Sequence, residues 1–140
     1  MDEPRTRPAA GFPPHTDVDP ETALSFPSGR ALIYCHAYTL HDMINGAMQR
    51  QTNACRAKAR ELGYAIGNTL QDIGFDDQQQ IRQDLNRPTL AYALTNLRDG
   101  SYNALIVFAP DRISLRPADV IAFTDECRRL GVPIIAVQPS

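Results

Sequence analysis

Two unbroken apolar runs stand out along this chain. Ala31-Leu32-Ile33-Tyr34-Cys35 follows Ser28-Gly29, and Ala104-Leu105-Ile106-Val107-Phe108-Ala109 precedes Pro110-Asp111-Arg112. Short continuous runs of β-branched and aromatic residues predict strands buried on both faces. After the first run, His36 to Asp42 reads as a loop holding two histidines, a tyrosine and an acid. Met43 to Leu62 then predicts a long helix, with Ala47, Ala54, Cys55, Ala59 and Leu62 as its apolar stripe. Arg50, Arg56, Lys58, Arg60 and Glu61 face water, and Gly63 is the stop. Tyr64-Ala65-Ile66 is a short strand, and Asn68 to Asn86, with Asp72, Gly74, Asp76, Asp77 and three consecutive glutamines, reads as a long mobile loop. Arg87-Pro88 opens a helix with Leu90, Leu94 and Leu97 buried and Gly100 at its end. Pro117 opens another, with Val120, Ile121, Phe123, Thr124, Cys127 and Leu130 toward the core and Gly131 as its stop. Val132 to Val137 is the last strand.

Strands alternating with helices imply an α/β fold, a four-stranded mainly parallel sheet with helices on both faces and right-handed crossovers. In such sheets ligands collect beyond the carboxyl ends of the strands. That rule brings the His36 to Asp42 loop close to Asp111 and Arg112, with Arg87 at a helix start facing both.

Composition adds limits. With 140 residues, 43% of them hydrophobic, one core is affordable. Residues 1–29 carry six of the eleven prolines and no apolar periodicity, which predicts a disordered leader before a domain at 30–140. Its acids Asp2, Glu3, Asp17, Asp19 and Glu21 outnumber Arg5 and Arg7. A net charge of -2 argues against coating nucleic acid by bulk charge. No run is long enough to span a membrane and no apolar signal core opens the chain, so a cytoplasmic protein is expected. Cys35, Cys55 and Cys127 have no C-x-x-C spacing and read as reduced, packed thiols; neither a metal nor a cofactor is expected.

From Arg30 to Val137 the ordered motifs resemble the catalytic domain of the resolvase and invertase family, the serine recombinases. The run R-A-L-I-Y-C-H-A-Y-T with Gln51 and Cys55, then Gly63-Tyr64, the acidic loop, Arg87-Pro88-Thr89-Leu90, Asp111-Arg112-Ile113-Ser114-Leu115 and Gly131-Val132-Pro133-Ile134 fall in the family's order. The resemblance implies phosphoryl transfer, in which a serine oxygen attacks a DNA phosphate and arginines hold its charge. Arg87, Asp111 and Arg112 keep the family's residue types.

The departures sit where that chemistry would. Tyr38 occupies the serine position, His36 the arginine two residues earlier, Leu115 the last arginine of the D-R-L-x-R phrase, with Arg116 one position late, and Asp42 a common glutamine. Losing one preorganised donor costs about 100- to 1000-fold in rate, so these losses together predict an inactive strand-exchange site. Gln138-Pro139-Ser140 closes the sequence where active members continue into an arm helix and a DNA-binding domain. The leading expectation is a binding or regulatory module that contacts DNA weakly or a recombinase-related protein, with a homodimer as one assembly. The alternative is a DNA-cleaving enzyme using Tyr38, or one relying on an active partner subunit. A phenol of pKa about 10 needs activation and reaches a ring farther than serine. Thr39 should point away, His36 and His41 with Cys35 or Asp42 lack diagnostic metal spacing, and a nucleotide site lacks its glycine-rich loop.

Overall fold

A computed structural model describes residues 26–73 and 88–139. Four strands, β1 (Gly29–Ala37), β2 (Tyr64–Ile73), β3 (Ala104–Val107) and β4 (Ile134–Ala136), form one sheet in the order β2-β1-β3-β4. Every pairing in it is parallel. The helices are α1 (Leu40–Ile44), α2 (Ala47–Glu61), α3 (Pro88–Arg98) and α4 (Pro117–Arg129), with a 3-10 turn at Pro110–Arg112.

The unbroken apolar run of β1 has a direct cause in this order. β1 is an inner strand, so its alternating side chains feed two separate cores. Leu32 and Tyr34 join Leu105 and Val107 against Leu90, Ala93 and Leu97 of α3 and Phe123 and Cys127 of α4. Ala31, Ile33, Cys35 and Ala37 point the other way and join Ile106 against Met48, Cys55 and Ala59 of α2. Helices cover both faces, as the pattern predicts.

Several boundaries differ from the sequence reading. The predicted helix at 43–62 is two helices, because the chain turns at Asn45 and Gly46, where Gly46 adopts φ 86°. Leu62 lies past the helix end and is exposed, as is Ile121, which projects from the outer side of α4. The last strand spans only Ile134–Ala136. β1 starts at Gly29 and runs through Ala37, so His36 belongs to the strand and not to a loop.

The largest difference is β2. Residues 68–73, predicted as the start of a loop, continue the strand; residues 74–86 of that predicted loop lie outside the described residues. β2 pairs with β1 alone and is an edge strand, so one face and one edge meet water and tolerate polar residues. The register slips by one residue between Ala31 and Leu32, with Gly67 as the extra residue on β2. A Cβ at Gly67 would sit 2.4 Å from Tyr102 Cε1, so the bulge keeps a bare backbone under that ring. Tyr102 in turn stacks beneath Arg30, whose guanidinium carbon is 5.2 Å from the ring centre.

All three cysteines are free and buried. A hydrogen bond between the Cys55 and Cys35 side chains holds the Cys35 thiol below its usual range and pushes the Cys55 thiol up. Burial, assisted by the Glu126 charge, pushes the Cys127 thiol up to about 11.

Two outcomes follow for stability and reactivity. Gly67→Ala should cost about 1–3 kcal/mol in denaturant unfolding, and truncating Tyr102 in the same background should recover part of that loss. Native protein at neutral pH should leave Cys127 unlabelled by iodoacetamide, with labelling appearing on unfolding, as mass spectrometry would record.

Candidate functional site

The carboxyl ends of β1 and β3 lie side by side, and the residues singled out from the sequence meet there. The register places His36 of β1 opposite Asp72 of β2. Adjacent positions on paired strands share a face, and Tyr34, two residues back, shares it too. The Asp72 carboxylate accepts the Tyr34 hydroxyl and lies 3.1 Å from His36 Nδ1. Tyr34 Oη is also 3.2 Å from that nitrogen. His36 and Tyr34 are completely buried and Asp72 is 5% exposed, so these polar groups satisfy one another away from water.

The main chain of His36 is held as firmly as its ring. Gln51 of α2 accepts the His36 N–H at 2.7 Å through Oε1 and donates to the His36 carbonyl at 3.1 Å through Nε2. A single amide thus ties α2 to the tip of β1. Gln51 is 5% exposed, which makes both bonds costly to lose.

Tyr38 closes the strand end. Its ring meets that of His36 edge to face at 4.2 Å between centroids, and its hydroxyl donates to the main-chain carbonyl of Asp111. Arg112 lies over the outer face of the Tyr38 ring, with its guanidinium carbon 5.6 Å from the centre. The same guanidinium donates to the His36 carbonyl at 3.1 Å and to Asp111 Oδ1 at 3.1 Å. Tyr34, His36, Tyr38 and Arg112 therefore form a continuous column along one side of β1. Tyr38 is 6% exposed, and its oxygen points into the protein toward a carbonyl.

Thr39 and Asp42 have local duties. Thr39 is the N-cap of α1, its hydroxyl accepting the Asp42 N–H at 3.0 Å, while Asp42 Oδ2 accepts the Tyr38 N–H at 3.2 Å. This reciprocal exchange resembles a capping box displaced by one residue, and it spends the Thr39 hydroxyl on the helix.

Among the described residues the remaining candidates do not converge with these groups. Arg87 lies outside the described residues. Leu115 is exposed, and Arg116 heads α4 paired with Asp119 at 3.0 Å. Cys35 faces the α2 core while His36 faces the opposite side, and His41 is exposed on α1. Among the described residues no three metal-ligating side chains cluster. Beside the 3-10 turn, Ala109, Pro110, Leu115, Val120 and Ile121 line an open groove of about 380 Å³; Asp111 is the ionisable residue on its wall. Such a lining suits an apolar group better than an anion.

Sequence reasoning missed Tyr34, Gln51 as a main-chain clamp, and Asp72. No periodic signal pointed to Asp72: it shares a face with Leu70 but follows the polar Gln71, so it breaks the alternation that would mark a strand.

The family described as Resolvase, N terminal domain matches residues 41–140. No curated protein sequence matches the chain. Among solved structures, the N-terminal catalytic domain of TP901-1 integrase is similar with a TM-score of 0.66 at 19% identity, covering 77% of each chain. The C-terminal catalytic domain of ISC1926 TnpA, an IS607-like serine recombinase, gives 0.65 at 20% identity over 79% of this chain and 72% of its own. A resolvase family site-specific recombinase from Streptococcus pneumoniae gives 0.65 at 18% identity over 77% and 71%. At these identities the likeness is one of fold.

The geometry separates two kinds of substitution. Asp72→Ala removes the buried acceptor that Tyr34 and His36 share and should destabilise the protein by about 3 kcal/mol in urea unfolding. Arg112→Ala should cost only about 1 kcal/mol, because Gln51 still donates to the His36 carbonyl.

Proposed function

The chain belongs to the resolvase family, and from that premise we propose that it is a non-catalytic member acting in DNA recombination as a binding or regulatory module. The observation that carries this reading is the column at the tip of β1. Where the resemblance implies a serine nucleophile, Tyr38 lies buried with its hydroxyl donated to the Asp111 carbonyl. A nucleophilic oxygen needs a base beside it and a path to the phosphorus. A phenol bonded to a carbonyl keeps its proton, since a carbonyl accepts and cannot abstract.

The cations support the same reading. His36, in the place of an arginine, turns inward to Asp72, and Arg112 spends its donors on a carbonyl, a carboxylate and a ring. The family match begins at residue 41, three residues beyond Tyr38, so His36 and Tyr38 fall outside it while Asp42 and Leu115 lie within it. The fold is thus retained while the tip of β1 serves packing. Its partner is a recombinase-related protein, with any DNA contact being weak. No helix among the described residues is long and apolar enough to cross a membrane.

A duplex bearing a phosphorothiolate at the scissile position traps the covalent intermediates of DNA-breaking enzymes. The expected result is no protein–DNA adduct on a denaturing gel, for the wild type and for Tyr38→Phe alike. An adduct that maps to Tyr38 or Thr39 and disappears on substituting that residue would overturn the proposal.

A further inference from the structure

Cations elsewhere on this domain sit beside acids. Arg116 pairs with Asp119, Arg128 with Asp125, Arg98 and Arg129 with Glu126, and Arg112 with Asp111. The outer side of α2 is different. Arg50 and Arg60 are exposed there and Arg56 is half-buried, and among the described residues no carboxylate comes within ion-pair distance of the three. Glu61, the acid of this helix, is paired with Lys58 at 3.4 Å. Arg56 donates to the Thr69 hydroxyl at 3.2 Å and Arg50 to the Asn45 carbonyl at 3.1 Å, neutral acceptors that leave both charges uncompensated.

The elements beside α2 do not restore the balance. Ile66, Thr69 and Gln71 of β2 meet α2 or its core, and none carries a charge. Asp72 turns to the opposite face of the sheet, where it meets Tyr34 and His36. Asp42 of α1 holds its carboxylate at the Tyr38 N–H. Along the exposed strip between the arginines lie Gln49, Asn53 and Ala57, the first two bonded to each other at 2.9 Å. Such a strip lacks the aromatic and large aliphatic anchors on which protein interfaces depend, and it suits a polyanion.

Density of charge decides which polyanion. Arg56 and Arg60 stand about 6 Å apart along the helix axis, and Arg50 to Arg60 covers about 15 Å. Duplex DNA presents one charge per about 1.7 Å of its axis, roughly nine over that length. An extended acidic peptide presents about four. Guanidinium also forks its donors onto phosphate oxygens. We propose that the outer side of α2 is a binding surface for the phosphate backbone of duplex DNA, held by Arg50, Arg56 and Arg60. The surface lies across the sheet from the rings of Tyr34 and His36 and is separate from the strand end. It rests on the binding-module reading for its choice of DNA and adds the surface that makes the contact. With a net charge of -2 on the whole chain, the contact is local and limited to low salt.

Fluorescence anisotropy of a labelled mixed-sequence duplex, titrated with the full-length protein over a salt series, tests this. Neutralising three phosphates gives a slope of log K against log salt of about -2.7, so a tenfold rise in salt should weaken binding about 500-fold. The variant Arg50→Gln, Arg56→Gln, Arg60→Gln should flatten that slope by about 2 to 3, with Cys127 still protected from iodoacetamide as the sign of intact folding. Arg128→Gln with Arg129→Gln, which removes cations already paired with acids, should leave the slope unchanged. A folded triple variant that keeps the wild-type slope overturns the proposal, as does wild-type protein that fails to bind the duplex at low salt. Polyglutamate that displaces the duplex equally well per charge also overturns it. A covalent adduct at Tyr38 would sink the non-catalytic reading alone, since it leaves the contribution of the three arginines to the slope in place.

Discussion

The inner position of β1 sets the terms for everything at the candidate site. With β2 on one edge, β3 on the other and helices over both faces, the strand is dry along its length, and Ala31 to His36 have no exposed surface. Polar groups at its tip must find partners within the protein, because an unsatisfied buried donor or acceptor costs roughly 1–3 kcal/mol. Each partner comes from a different element: Asp72 from β2, Gln51 from α2, the Asp111 carbonyl and Arg112 from the turn after β3. One buried strand end thereby ties four pieces of chain together. The register of β2, bulge included, belongs to the same constraint, since a slip of one residue would carry Asp72 to the other face and strand His36.

Much of this architecture was legible because it rests on periodicity. The runs at 31–35 and 104–107 name inner strands, and Leu90, Leu97, Phe123 and Cys127 name the buried faces of α3 and α4. Legibility fails where tertiary context outranks local pattern. Asn68 to Ile73 looks like a loop on composition, yet pairing with β1 makes it strand, because an edge strand has one wet face. Gly46 broke a helix that apolar spacing carried through, since its backbone turn and not its side chain is the signal. His36 is the instructive case. Sequence places it beside Arg112, which is right, but as a loop side chain open to an anion. Its carbonyl rather than its ring meets Arg112, and the ring turns back to an acid that composition had assigned to a loop. Only the register could pair residues 36 and 72.

Whether an anion can be held at this strand end is decided less by locked geometry than by the sum of charges. Arg112 is not irreplaceable where it sits, because the His36 carbonyl also accepts from Gln51 and would not be orphaned by its departure. Turning Arg112 outward therefore carries only a modest cost. What an incoming phosphate would meet is the harder obstacle. The Asp111 carboxylate is 53% exposed and bonded to the same guanidinium, and Asp42 holds its carboxylate at the Tyr38 N–H on the opposite rim. Asp72 lies deeper, paired with His36. Arg116, the nearest extra cation in sequence, is turned to Asp119 on α4. A phosphoryl-transfer site needs several cations acting on one anion, and among the described residues here the Arg112 guanidinium is flanked by two acids. Restoring a serine at position 38 would supply the reacting atom without changing that balance. On the proposed non-catalytic reading, the charges around β1 weigh more against holding a transferring phosphate than the loss of the hydroxyl position does.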